Sequence, residues 1–184
     1  MEHEILDDAQ STDQQDAKWA GFWIRVGASL IDVLVYLPFI GLNFYNLYSL
    51  KNLPLQLFVD IVFLLYKPLM EYKYGATLGK MAVKIKVVSE NFDKITLSQT
   101  ILRNYPHWLN QILSIFTAFF LFQNPDFQEA DSMAAISQVQ REIISPFVSS
   151  SISFVAIISW IVVAFTSKKQ GLHDMIAKTY CIYK

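Results

Sequence analysis

Residues 22–42, FWIRVGASLIDVLVYLPFIGL, set the limits on what this chain can fold into. The run is apolar over about 20 residues, the length that crosses a bilayer at 1.5 Å rise per residue. Two ionised side chains, Arg25 and Asp32, lie inside it. An ionised group at the bilayer centre costs at least about 2.5 kcal/mol, so a simple anchor would exclude both. Within a bundle they have to be answered by other polar groups.

Three more apolar runs follow, at 53–70, 106–122 and 146–166. The chain is 53% hydrophobic and 17% charged, where a soluble domain carries about 25% charged residues. Trp19, Phe22 and Trp23 cluster where the first run begins, as an interfacial belt does. Pro38 is expected to kink or end that span, ahead of a polar, tyrosine-rich connector at 43–52. The expected class is all-α, a transmembrane helical bundle of about four spans over residues 18–184.

Residues 1–17 carry six acids and no Lys or Arg. They read as a disordered acidic tail, not as the basic start of a cleavable signal. Between the second and third spans, 71–105 holds Lys73, Lys80, Lys84, Lys86, Lys94 and Arg103 against Glu71, Glu90 and Asp93. Within it 82–88 alternates apolar and basic, which predicts a short strand or surface-lying segment. Residues 96–104 predict a short amphipathic helix at the membrane surface. The 124–145 stretch is polar and acidic. Ser149, Ser150, Ser151, Ser153 and Ser159 in the last run are small enough to let helices approach closely.

Lys and Arg counts in short loops set orientation. The 71–105 loop has six and the tail has four, Lys168, Lys169, Lys178 and Lys184. The other two loops have one each, Lys51 and Arg141. This pattern predicts both termini and the basic loop on the cytoplasmic side.

Arg25 and Asp32 are seven residues apart, nearly two turns, so they share a helix face about 10 Å apart in depth. Asp60 and Lys67 repeat that spacing on the antiparallel second span. This predicts two carboxylates at similar depth with two cations below them. Lys67 and Arg25 also have the option of snorkelling to the headgroups. Asp32 and Asp60, with short side chains, do not, and each needs a cation, a donor, water or a proton.

Three blocks carry a resemblance. AGFWIRVGASLID at 20–32, GATLGKMAVKIKVVSENFDKITLSQTILRN at 75–104 and KKQGLHDMIAKTYCIY at 168–183 cover about a third of the chain. They resemble the RDD family of bacterial membrane proteins, named for one arginine and two aspartates. The resemblance assigns those roles to Arg25, Asp32 and Asp174, with Asp60 outside the family pattern. It implies a membrane-embedded protein and a suggested role in transporting small solutes or ions. It also implies that Asp174, just past the fourth span, ties the tail to the bundle, with Arg25 shared between Asp174 and the Asp32 face.

Other chemistry finds little support. GATLGK at 75–80 has three residues between its glycines and Met81 after the lysine, unlike a phosphate-binding loop. His173 and Asp174 are adjacent, yet no nucleophile stands at a recognisable spacing. One cysteine, Cys181, allows no intrachain disulfide. His3, His107 and His173 are scattered, so no metal or other cofactor is expected. A net charge of −1 gives no bulk attraction to nucleic acid. Lys168, Lys169 and Lys178 are a possible contact for anionic lipid at about 1 kcal/mol each, although inside loops are basic in any case.

Three readings remain open. The first is a small-solute or monovalent cation/proton transporter of the bacterial inner membrane using Asp32 and Asp60, since a carboxylate in an apolar site can exchange a proton against a cation. The second is a non-catalytic scaffold whose charges are structural. The third is a lipid-directed enzyme, for which no catalytic set is found. Transport by 184 residues favours a homo-oligomer, because one copy leaves little room for a pathway.

Overall fold

The computed structural model describes residues 17–184. The elements run α1 (Phe22–Tyr45), α2 (Leu53–Tyr74), α3 (Leu78–Ala82), β1 (Ile85–Ser89), α4 (Leu97–Arg103), α5 (Tyr105–Leu121), α6 (Pro125–Glu129), α7 (Met133–Ile143), α8 (Pro146–Phe165), α9 (Leu172–Ile176) and β2 (Thr179–Tyr183). The acidic tail expected over 1–17 lies outside the described residues apart from Ala17.

The four apolar runs are α1, α2, α5 and α8. Three helical stretches are long and apolar enough to cross a membrane: Phe22–Leu50, Leu53–Tyr74 and Pro146–Phe165. Few of their residues are buried, so most of their apolar surface faces outward, as a lipid solvent requires. The remaining run, α5, has 17 residues and is about 25 Å long, somewhat short of the roughly 30 Å hydrocarbon core.

Pro38 does not end the first span. The helix runs through it to Tyr45 and continues as a π-helical turn, Asn46–Leu50. The expected connector is therefore mostly helical. Asn46 closes it, donating from Nδ2 to the Asn52 carbonyl at 3.0 Å and accepting from the Asn52 N–H at 3.0 Å. The 124–145 stretch is not a loop either but carries α6 and α7. Asn124 caps α6 and Ser132 caps α7 through their side-chain oxygens. Phe127, fully buried, sits with Ala118, Leu121, Phe122, Ile136 and Val139 in one apolar cluster. Burial of such a ring contributes about 2 to 3 kcal/mol. Of the five serines in α8, only Ser159 is buried. Ser151 and Ser153 turn outward and bond carbonyls one turn back.

The described residues pack as two units. One comprises the residues up to Asp32 with Pro68–Asn104 and Ser159–Lys184; the other comprises Val33–Lys67 and Tyr105–Ile158.

The first unit contains a two-stranded antiparallel sheet of β1 and β2. Its register pairs Ile85 with Tyr183, Val87 with Cys181 and Ser89 with Thr179. The segments leading into the two strands match. Adding 94 to a residue number carries α3 onto α9 and β1 onto β2. Leu78, Met81 and Lys84 fall on Leu172, Met175 and Lys178. Both lysines adopt left-handed backbone, φ 56° and 52°. The hydrogen bonds also repeat: Lys84 N–H to Met81 O at 3.1 Å, and Lys178 N–H to Met175 O at 3.2 Å. The strand register maps onto itself under the same shift, so the two helix–strand segments are related by a local two-fold axis through the Val87–Cys181 pair.

Each segment is fastened to a long helix at the same point. Gly79 N–H donates to Asp32 Oδ1 on α1 at 2.8 Å. Its counterpart, His173 N–H, donates to Ser159 Oγ on α8 at 3.2 Å. The approach is close. A Cβ on Gly79 would lie 1.9 Å from the Ala28 carbonyl oxygen, and one on Gly171 would lie 2.5 Å from that of Ser159. Only glycine fits either place.

Candidate functional site

The first unit holds five buried charges in alternating order: Lys80, Glu71, Arg103, Asp174 and Arg25. Their exposures are 8, 0, 4, 0 and 5%. Lys80 pairs with Glu71 Oε1. Glu71 Oε2 meets Arg103 Nε at 3.3 Å and accepts from Asn104 Nδ2 at 3.0 Å. Arg103 Nη1 pairs with Asp174 Oδ1. Asp174 Oδ2 takes Arg25 Nη1 at 2.5 Å and the Gly171 N–H at 3.1 Å. Arg25 is completed by two carbonyls, Ala20 O at 2.9 Å from Nε and Lys169 O at 2.6 Å from Nη2. Each member lies between partners of opposite sign or neutral acceptors, the condition for holding charge at low dielectric.

Burial alone would push the Asp174 carboxyl up. The charges of Arg103, His173 and Arg25 outweigh it and hold the group well below the ordinary carboxylate range. Burial likewise works against the charged form of Arg103, yet Asp174 and Glu71 hold its guanidinium above the usual value.

Arg25 and Asp174 are thus brought together, and Arg25 turns to the tail instead of the Asp32 face. Asp32 has its own task. Its Oδ2 accepts from Thr77 Oγ1 at 2.6 Å and its Oδ1 from the Gly79 N–H, so it receives the start of α3. Of the partners open to it, hydroxyl and amide donors answer the carboxylate. Glu71, Lys80 and Arg103 were counted only as loop charges. The pattern Leu-x-x-Met-x-x-Lys before each strand was the signal that could have tied the tail to the middle segment.

Ser159, His173 and Asp174 superficially form a relay. Ser159 Oγ lies 2.8 Å from His173 Nδ1, and His173 Nε2 lies 3.2 Å from Asp174 Oδ1. Ser159 is fully buried and its oxygen also accepts the His173 N–H. The trio fastens α9 to α8. Among the described residues no group of His, Cys, Asp and Glu has the makings of a metal site.

In the second unit Asp60 is 2% exposed within α2. Gln56 Nε2 donates to its Oδ2 at 3.3 Å and Ser114 Oγ to its Oδ1 at 3.0 Å. Gln111 Nε2 bonds its backbone carbonyl at 3.2 Å. Its carboxylate is thus answered by neutral donors. Gln56 and Ser114 also line a cavity of about 550 Å³, together with Asn43, Asn110, Thr117 and Arg141. Lys67 belongs to this unit too and is half-buried.

The tail lysines part company. Lys168 Nζ donates to Tyr180 Oη at 3.0 Å, Lys169 Nζ lies 3.4 Å from Ala164 O, and Lys178 is exposed.

Comparison with known proteins agrees with this architecture. The profile of the RDD family matches residues 19–178. A Bacillus subtilis (strain 168) protein named "Uncharacterized membrane protein YteJ" is 28% identical over 177 residues, covering 90% of this chain and 82% of the relative. A second from the same organism, "Uncharacterized protein YckC", is 27% identical over 168 residues, covering 90% and 85%. No solved structure matches. With most of its length inside the family profile and its apolar helices in place, the chain belongs to the RDD family and is an integral membrane protein.

Proposed function

We propose that the chain moves a small solute or monovalent cation across the bilayer in exchange for a proton carried by Asp60. The observation that supports this is the placing of Asp60. It is buried inside a spanning helix, held by Gln56 and Ser114, and both of those line the 550 Å³ cavity. A buried carboxylate with neutral partners and a polar cavity beside it is suited to taking up and releasing a proton or a cation. In this reading the five-charge chain and Asp32 are structural. Both termini lie on the cytoplasmic side of the inner membrane, and the working form is a homo-oligomer. No catalytic step is assigned.

The test is reconstitution into liposomes loaded with a pH dye and challenged with a panel of monovalent cations. Cation-dependent proton flux is expected, and it should vanish in Asp60→Asn while the protein still elutes as the parent does. A second reading, a scaffold for another membrane protein, draws support from the closed pairing of the first unit's charges. Absence of flux for every cation, together with a stable partner recovered by pull-down, would select it.

A further inference from the structure

A cleft of about 610 Å³ opens in the first unit between the start of α1 and the end of α8. Its volume lies within the range of ligand sites, about 300 to 1,000 Å³. Phe22, Trp23, Ile161 and Phe165 form its walls, and Lys169 and Tyr183 stand at its rim. Trp23 is 80% exposed and Phe165 84%. Just outside, Lys18 Nζ lies 5.2 Å from the centre of the Tyr183 ring.

Two features separate this cleft from an ordinary lipid-facing surface. The first is its charge. None of its lining residues is acidic, and neither Lys18 nor Lys169 forms an ion pair among the described residues. Asp174, the carboxylate nearest in sequence to Lys169, is spent on Arg25 and Arg103. The second is that Lys169 is preset. It holds left-handed backbone at φ 51°, with its N–H on Thr166 O at 3.1 Å and its carbonyl taken by Arg25 at 2.6 Å. Glycine favours that conformation, so a lysine there is strained. The same backbone that completes Arg25 therefore roots the Lys169 side chain at the rim, where its Nζ lies 3.4 Å from Ala164 O.

We propose that this cleft seats one anionic phospholipid, its phosphate between Lys18 and Lys169 and an acyl chain against Trp23 and Phe165. The walls match a hydrocarbon chain and the rim matches a phosphate diester. The two cations, which form no ion pair among the described residues, favour a lipid with net negative charge over a zwitterionic one.

The test titrates the full chain in neutral detergent with dioleoylphosphatidylglycerol or dioleoylphosphatidylcholine and counts retained lipids by native mass spectrometry. Preferential retention of the glycerol lipid is expected. Lys169→Gly removes the ammonium and relieves the backbone, so it should fold as the parent does and bind that lipid about fivefold more weakly, the equivalent of about 1 kcal/mol. Lys169→Arg should keep the preference. Lys84→Gly, which removes a left-handed lysine outside the cleft, should leave binding unchanged. Trp23→Ala should weaken both lipids alike. Equal retention of the two lipids by the parent, or full preference in Lys169→Gly, overturns the proposal. A dimer that dissociates in Trp23→Ala without any lipid preference also overturns it, because the cleft would then be filled by a second copy.

Discussion

Asp174→Asn removes the one carboxylate that answers both Arg25 and Arg103. The side chain is fully buried, and it accepts from two guanidinium groups, the His173 ring and the Gly171 N–H. Asparagine keeps the shape but leaves two buried cations facing a neutral amide. Removing one partner of a buried pair costs about 3 to 5 kcal/mol. Native proteins have only about 5 to 15 kcal/mol in all. For a chain of this length the loss is a fall in melting temperature on the order of 10 °C. The assay is a thermal melt in detergent followed by size exclusion. Arg25→Gln should show a comparable drop. The double variant should cost less than the sum by about 1 to 3 kcal/mol, because the pair is broken only once. The sign of the pH dependence follows from the depressed Asp174 carboxyl. Its contribution is complete above the unfolded-chain value of about 3.9 and is lost as the pH falls through that value toward the folded one. The gap between parent and Asp174→Asn should therefore persist at neutral pH and begin to close below about pH 4. If Asp174→Asn melts with the parent at pH 7, or the gap widens in acid, the assignment of Asp174 as the shared counter-ion is wrong.

Gly79→Ala and Gly171→Ala should each lower accumulation in membranes by overpacking, at a cost of about 1 to 3 kcal/mol or more, because the added carbon meets backbone atoms that cannot yield. Gly27→Ala and Gly41→Ala, where nothing lies within 4 Å of the new carbon, should accumulate as the parent does; immunoblots of membrane fractions compare the four. Cys181 is fully buried at the axis of the strand pair, so its alkylation by a maleimide should proceed only as fast as the sheet opens. Denaturant should accelerate it in step with loss of the folded signal, and rapid labelling of the native protein would mean that β2 does not pair as described. Thr77→Val should weaken the hold of Asp32 on α3 by about 1 to 2 kcal/mol, read as a lower melting temperature, and adding Asp32→Asn should then cost less than it does in the parent, because only the loss of the Thr77 bond is shared while the Gly79 N–H bond is still there to lose.

The long apolar runs were legible because twenty apolar residues in a row admit few other fates. Arg25 and Asp174 were legible as a pair through the resemblance and the shared level of their span ends. The partner of Asp32 was not. A carboxylate on a helix face suggests a cation, and nothing local in Thr77 or Gly79 announces a donor aimed across 47 residues. The strand Thr179–Tyr183 was missed for a different reason. All but its last residue are buried, so it lacks the alternation that marks a half-exposed strand. Phe127 and Ile136 were hidden inside a stretch whose acids and glutamines suggested a loop. Asp60 was visible as a charge in a span, but its neutral company became clear only once α2 and α5 were side by side.

Arg25 is made 149 residues before Asp174, the carboxylate it pairs with. At about 5 to 20 residues per second a ribosome needs roughly 7 to 30 seconds to cover that distance. Throughout that interval the first span has its guanidinium in or near the bilayer without Asp174, the carboxylate it pairs with in the folded chain. The charge chain of the first unit therefore closes only after the fourth apolar helix has been made and the segment carrying Asp174 has followed it.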